Sequence, residues 1–214
     1  MITLDRVSSF VKSFIKDDEG ILGDIYANAR IDGVPVIRPE TRELLKTQLI
    51  LTRPKRVLEI GTAVGYSSLY MCKYLDEDAH ITTIELDENR VKQARSNIER
   101  LCEQDKITVL QGDAADVLKE LPSDGFDFAF VDAAKAQYIY YLPDVMRVVR
   151  SGGLIVSDNI LQDGQVLESH FAVEKRDRTI HDRMREYLYA LCNDERLDTA
   201  ILSVADGVAL SVRR

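Results

Sequence analysis

An α/β fold on an open, mainly parallel sheet is predicted for this 214-residue chain by three observations. After Arg53-Pro54-Lys55, short apolar runs alternate with polar stretches of helical period, which is the signature of repeated βαβ units. Residues 1–50 carry apolar side chains at helical spacing instead. The last two apolar runs flank Asp206-Gly207, a hairpin signal. Seven strands are therefore expected, mainly parallel and closed by an antiparallel C-terminal hairpin, with N-terminal helices in front. With 45% hydrophobic residues the chain can bury one substantial core. One domain is expected over 1–214, with 1–50 as a helical cap and 55–214 as the core.

In chain order, Leu4, Val7, Val11, Phe14 and Ile15 recur at helical spacing, and Asp32-Gly33-Val34-Pro35 reads as a turn. Pro39 then opens a helix that runs to Ile50, because proline is tolerated in a first helical turn. The strands are Arg56–Ile60, Ile81–Glu85, Ile107–Gln111, Phe126–Asp132 and Leu154–Ser157. Helices fall near Ser67–Leu75, Asn89–Cys102, Ala115–Leu121 and Ala136–Val149. The last of these ends in Arg147 and Arg150 followed by Gly152-Gly153, which suits the negative end of a helix and a left-handed cap. A long polar helix is expected around Glu168–Asn193, then strands over Thr199–Val204 and Val208–Val212.

Composition narrows the function classes. The balance of 28 Lys+Arg against 36 Asp+Glu, a formal charge of −8, offers no global attraction to phosphate backbones or anionic lipid. A nucleic-acid partner would need a local basic patch. Cys72, Cys102 and Cys192 form no Cys-x-x-Cys pair and read as free thiols in a reducing compartment. The absence of a leader-like start and of a long apolar run predicts a cytoplasmic, non-membrane protein. His80, His170 and His181 lack metal-ligand spacing, so ordinary surface roles are expected of them.

Two acidic strand ends point to chemistry. Asp132 closes one strand and Asp158-Asn159 closes the next, placing three oxygen ligands where an open parallel sheet keeps its active site. That donor set suits a hard metal ion. At the other end, Val57–Ser68 is a strand, a turn with Gly61 and Gly65, and a helix start. Such a turn either only reverses the chain or lets the backbone approach a ligand. Glu85 lies about 20 residues on, where an acidic side chain can accept from both ribose hydroxyls. Gly112-Asp113-Ala114 is placed to flank an adenine. The spacing is not Gly-x-Gly-x-x-Gly, and Glu59 would repel a pyrophosphate. A cationic cofactor without pyrophosphate, S-adenosylmethionine, matches better.

Taken together, Leu58–Ser67, Phe130–Tyr138 and Ser157-Asp158-Asn159 resemble the cation-dependent O-methyltransferases of the catechol and caffeoyl-CoA type, over nearly the whole chain. Asp158–Leu161 and Thr199–Ser211 add a likeness to the bacterial tRNA 5-hydroxyuridine methyltransferase branch. The resemblance implies a Rossmann-like class I methyltransferase fold. It implies that Asp132, Asp158 and Asn159 hold Mg2+ or another divalent cation, with Lys135 and Asp132 catalytic. Lys135 would take the acceptor's proton if burial and the metal's charge lowered its own pKa. Ile37, Glu59, Gly61, Thr62, Ser67, Glu85, Asp113, Ala114 and Asp132 would bind S-adenosylmethionine. Ile37 stands where close relatives have methionine, which leaves a backbone contact there. Tyr138 and Arg38 would border the acceptor.

The implied acceptor carries two neighbouring oxygens. It is 5-hydroxyuridine at the wobble position of the tRNA anticodon, or a small catechol-like molecule. For tRNA the candidate surface is Lys175, Arg176, Arg178, Arg183 and Arg185, diluted by Glu174, Asp177, Asp182 and Glu186. The N-terminal helices suggest a homodimer. Two other readings stay open: a binding module that has lost turnover, which intact Asp132, Lys135, Asp158 and Asn159 oppose, and a dehydrogenase, which the missing pyrophosphate fingerprint opposes.

Overall fold

Strands β1 (Arg56–Ile60), β2 (His80–Glu85), β3 (Ile107–Gln111), β4 (Phe126–Val131), β5 (Val149–Asp158), β6 (Leu197–Leu202) and β7 (Val208–Arg213) form one sheet in a computed structural model that describes residues 4–214. Their order is β3-β2-β1-β4-β5-β7-β6. The first five run parallel, and β7 pairs antiparallel with both β5 and β6. The strand order reverses direction between β1 and β4, where Ile60 faces Val131 in register. Crossover connections leave that point in opposite directions, which opens a crevice beyond the carboxyl ends of the two strands.

Side chains alternate along each strand, so each strand feeds two cores. Val57, Phe128, Phe130, Leu154 and Val156 face one layer, made by helices α2 (Gly20–Ile31), α3 (Pro39–Thr52), α4 (Tyr66–Cys72) and α5 (Glu88–Arg100). Leu58, Ile60, Ala129, Val131 and Ile155 face the other, made by α6 (Ala114–Glu120), α7 (Tyr138–Val148) and α8 (Arg178–Asn193). Phe128 and Phe130 are fully buried, each contributing about 1.5–3 kcal/mol through removal of apolar surface from water. The N-terminal helix α1 (Leu4–Lys12) lies outside both layers and leaves Val7, Phe10 and Val11 exposed, with Phe14 just beyond it.

Several expectations need correction. The helix expected over Ala136–Val149 begins as a 3₁₀ turn at Lys135–Gln137 and ends at Val148. Strand β5 starts at Val149 and carries Arg150, Gly152 and Gly153 as a register irregularity opposite Phe126–Phe128. Arg150 there pairs with Asp127 at 2.8 Å, and a Cβ on Gly153 would meet the Asp127 carbonyl oxygen at 2.9 Å. The glycines thus serve a tight strand bulge, whose residue types imitate a helix cap. Arg147 does cap a helix, but it is α6, through the Leu118 and Leu121 carbonyls at 2.7 and 2.8 Å.

The long tail helix is shorter than expected, spanning Arg178–Asn193 and preceded by turns from Leu161 to Asp177. The hairpin strands begin or end differently as well. The loop between β6 and β7 runs over five residues, 203–207, with Ala205 and Gly207 at φ 49° and 81°. Asp206-Gly207 therefore ends a longer loop instead of forming a two-residue turn. Phe14 and Ile15 lie past the end of α1. Met1–Thr3 lie outside the described residues.

Candidate active site

A cleft of about 860 Å³ opens beyond the carboxyl ends of β1, β2, β4 and β5, within the range of small-molecule sites. Ile37, Gly61, Thr62, Ser67, Glu85, Asp113, Ala114, Asp132, Lys135 and Asn159 all line it. The fold thus gathers almost every expected cofactor residue on one wall. Glu85 is braced across the glycine turn, with one carboxylate oxygen accepting from the Ala63 N–H at 2.8 Å and the other from the Asp87 N–H at 2.9 Å. Asp113 caps α6 by accepting from the Ala115 N–H at 2.9 Å, which fixes Ala114 on the cleft wall. Ile37 is buried between the cleft and the first core.

Gly61 is required for a reason the sequence does not announce. Its φ is 102°, and a Cβ there would sit 2.0 Å from the Asp132 carbonyl oxygen. The glycine lets β1 and β4 close on each other and so sets the position of Asp132 beside the cofactor turn. Glu59, in contrast, is absent from the cleft wall. Its side chain is fully buried beneath it, accepting from Thr83 Oγ1 at 2.6 Å and from the Ser68 hydroxyl. Burial raises its pKa, and the hydroxyls of Ser67, Ser68 and Thr83 work against that rise. Thr83 in turn meets Thr62 Oγ1 at 2.6 Å, so Glu59 reaches the cleft through a chain of hydroxyls.

At the reactive end, Asp132 and Asn159 meet around a single cation supplied by the chain itself, while Asp158 lies buried beside them, off the cleft wall. The Lys135 ammonium donates to Asp132 Oδ1 at 3.0 Å and to Asn159 Oδ1 at 3.1 Å. Asn159 turns its amide inward from a left-handed backbone, φ 53°, which asparagine tolerates better than most residues. Asp158 is fully buried. Its Oδ1 accepts from the Asn159 N–H at 2.8 Å and from Thr41 Oγ1 at 3.1 Å, while its Oδ2 has no partner. Burial first, and then the negative charge of Asp132, push its pKa up to about 7.

A buried carboxylate oxygen without a partner is costly to the fold. With an all-oxygen donor set and an ammonium standing in for a cation, these residues fit a hard divalent ion such as Mg2+. Lys135 itself differs from the expectation of a lowered pKa. Burial works to lower it, but Tyr138 and Asp132 outweigh burial and hold it well above the ordinary lysine value. In this arrangement it is an ion-pair partner, not a base.

Tyr138 is not on the cleft wall. It is fully buried, and its hydroxyl lies 3.1 Å from the Val131 carbonyl oxygen and 3.2 Å from that of Asp158. It also accepts from Lys135 Nζ at 3.1 Å and from the Ala133 N–H at 3.2 Å. One side chain therefore ties the ends of β4 and β5 together beneath the acidic cluster. Arg38 does line the cleft mouth, paired with Asp163 at 2.6 Å. Thr41 and Asp206 were not anticipated. Thr41 reaches Asp158 across 117 positions, and Asp206 joins the cleft from the β6–β7 loop, so no local pattern marks either.

A profile of the family described as O-methyltransferase matches residues 29–214. Catechol O-methyltransferase of Niastella koreensis is 31% identical, over 84% of each chain. Caffeoyl-CoA O-methyltransferase of Populus kitakamiensis is 34% identical, over 86% of this chain and 80% of its own. The O-methyltransferase TomG from Streptomyces achromogenes, solved in complex with SAM, superposes with a TM-score of 0.83 at 25% identity, covering 100% of this chain and 99% of that one. This chain belongs to the O-methyltransferase family. Among the described residues, no helix is long and apolar enough to cross a membrane.

Proposed function

We propose that this chain transfers a methyl group from S-adenosylmethionine to a hydroxyl that has a second oxygen beside it, and that the acceptor is 5-hydroxyuridine at the tRNA wobble position. The observation that carries the reading is the meeting of Asp132 and Asn159 on one ammonium at the cofactor cleft, with the buried, unpartnered Oδ2 of Asp158 beside them. Asp132, Asp158 and Asn159 would hold the divalent cation. When bound, Mg2+ supplies Lewis acidity, lowering the hydroxyl's pKa and fixing both neighbouring oxygens.

The chain's own residues do the rest by placement. Glu85 accepts from the ribose hydroxyls, Asp113 and Ala114 flank the adenine, and Ile37, Gly61, Thr62 and Ser67 enclose the methionine part. The methyl passes from sulfur to oxygen as the sulfur–carbon bond breaks, so alignment carries most of the rate. Lys135, once displaced from Asp132 and Asn159, would lose its own proton to solvent and then, as a neutral amine, take the proton of the acceptor hydroxyl. Glu85→Gln removes one acceptor of a charge-assisted hydrogen bond, so calorimetry should show cofactor affinity reduced by about 10- to 100-fold. An unchanged affinity would remove Glu85 from the ribose.

The tRNA acceptor is supported by the likeness of Asp158–Leu161 and Thr199–Ser211 to the tRNA-modifying branch, and by the 5-hydroxyl and O4 of 5-hydroxyuridine, which form a catechol-like pair. Of the expected basic surface, Arg178, Arg183 and Arg185 also donate to the Val173, Ala136 and Val166 carbonyls. Arg176 pairs with Glu174 and Asp177. Arg183 lies beside the reactive turn and stacks 5.0 Å from the Tyr140 ring. The work belongs in the cytoplasm, and a homodimer is supported by the apolar face that Val7, Phe10, Val11 and Phe14 leave exposed.

A catechol acceptor is the second reading, favoured by the names of the relatives at 31% and 34% identity. Hypomodified tRNA and a simple catechol, competing for labelled S-adenosylmethionine with Mg2+ present, separate the two. Label in the wobble uridine at the lower acceptor concentration is the expected result. Transfer to the catechol alone would reject the tRNA assignment.

A further inference from the structure

Where the turns after β5 meet α8 lies a group of side chains that methyl transfer does not use. His170 Nδ1 and His181 Nδ1 both reach one oxygen, Asp182 Oδ1, at 2.8 and 3.0 Å. Ligand atoms from the three residues all lie within 4.8 Å of one another. His181, expected as an ordinary surface residue, is in fact 1% exposed. Its other ring nitrogen, Nε2, faces the Glu168 carbonyl oxygen at 3.1 Å.

The carbonyl can only accept, so Nε2 must carry a hydrogen. A neutral imidazole has one N–H, which leaves the Nδ1 lone pair aimed at a carboxylate oxygen, acceptor against acceptor. A metal cation between Nδ1 and Asp182 removes that opposition. This arrangement also accounts for His170, whose Nδ1 comes to the same point. It reproduces the way metal-bound imidazoles are set, with the second ring nitrogen donating to a carbonyl. Donors around a tetrahedral ion with metal–nitrogen bonds near 2.0–2.1 Å lie about 3.3 Å apart, so only a small spread of the present contacts admits the ion.

We propose that His170, His181 and Asp182 form a binding site for a borderline-soft divalent transition metal of the zinc class. Two imidazoles and one carboxylate select such an ion over Mg2+, whereas the all-oxygen donors of Asp132, Asp158 and Asn159 do the reverse. His170 belongs to the turns after β5 and His181 to α8. Gln162 and Asp163, earlier in the same turns, line the cleft mouth. A filled site therefore anchors the acceptor side of the cleft to α8.

Equilibrium dialysis of the full chain against Zn2+, after chelator treatment and in an Asp132→Ala background that disables the oxygen site, tests this. One zinc per chain is expected there. Affinity should fall by at least about 100-fold in both His170→Ala and Asp182→Asn, which alter exposed or half-exposed groups and leave the core intact. Co2+ in the same background should show the visible absorption of a low-coordinate nitrogen site, lost in His170→Ala. No bound zinc overturns the proposal. So does zinc whose affinity neither substitution changes.

Discussion

Asp158→Asn is expected to reduce methyl transfer by about 10³-fold or more while making the metal-free chain more stable. The two effects have one cause. Asp158 is fully buried, its Oδ2 has no partner, and it lies close enough to Asp132 for the two charges to oppose each other. One ammonium, Lys135, serves the cluster, and it bonds Asp132 and Asn159. Above about pH 7, where this carboxyl is ionised, its unpartnered buried charge is a cost to folding that a neutral isostere relieves, by about 1–3 kcal/mol, and the gain fades as pH falls below that value. Asn retains an oxygen to accept from Thr41 and the Asn159 N–H, so the loop is kept. Urea denaturation in EDTA reads the gain, and initial rates with saturating cofactor read the loss. A variant that is both active and unaltered in stability would mean that Asp158 is only a packing residue.

Lys135→Met should lower turnover by about 10²- to 10⁴-fold, the range for a positioned proton-transfer group. Methionine keeps the length and apolar stem of lysine without its charge, so cofactor affinity should hold. Cation affinity should move the other way. In the present arrangement the ammonium occupies the position between Asp132 and Asn159, and its removal frees both oxygens and removes a like charge. Divalent-cation affinity is therefore expected to rise by about tenfold, because a like charge at contact distance is lost. Loss of turnover with tighter cation binding separates a catalytic lysine from one that merely holds the loop. A structural lysine would weaken both.

The parts of the site legible in the sequence are those that sit at strand ends. Asp132, Glu85 and Asp158-Asn159 each follow an apolar run, and the period of the run alone places them on the crevice side of the sheet. The Gly61–Gly65 turn was legible as a turn, but its reason was not. Gly61 answers to the Asp132 backbone, a contact across the switch point that no local pattern encodes. Long-range support stayed hidden for the same reason: Thr41 beneath Asp158, and the Tyr138 hydroxyl between two strand ends.

Where local signals conflict with tertiary demands, the reading drifts. Arg150 and Gly152-Gly153 carry the residue types of a helix end, yet pairing of Phe126 with Val149 and of Phe128 with Leu154 draws them into a bulged strand. Residues 168–177 share the polar composition of α8 but form turns and bends ahead of it. Glu59 shows the converse. Its type and position suggested a ligand contact, while the alternation that sends Val57 to the first core sends Glu59 the same way, beneath the cleft.

In the proposed function, Asp132, Asp158 and Asn159 form a divalent-cation site, and Lys135 occupies its place between Asp132 and Asn159. Manganese titration followed by electron paramagnetic resonance of the free ion tests it most directly, on chelator-treated chain carrying His170→Ala so that one site is read. Wild-type residues at the cluster should bind one Mn2+, Asp158→Asn should bind it at least about 100-fold more weakly, and Lys135→Met about tenfold more tightly. Mn2+ affinity unchanged by Asp158→Asn, or weakened by Lys135→Met, would mean that these residues form no such site.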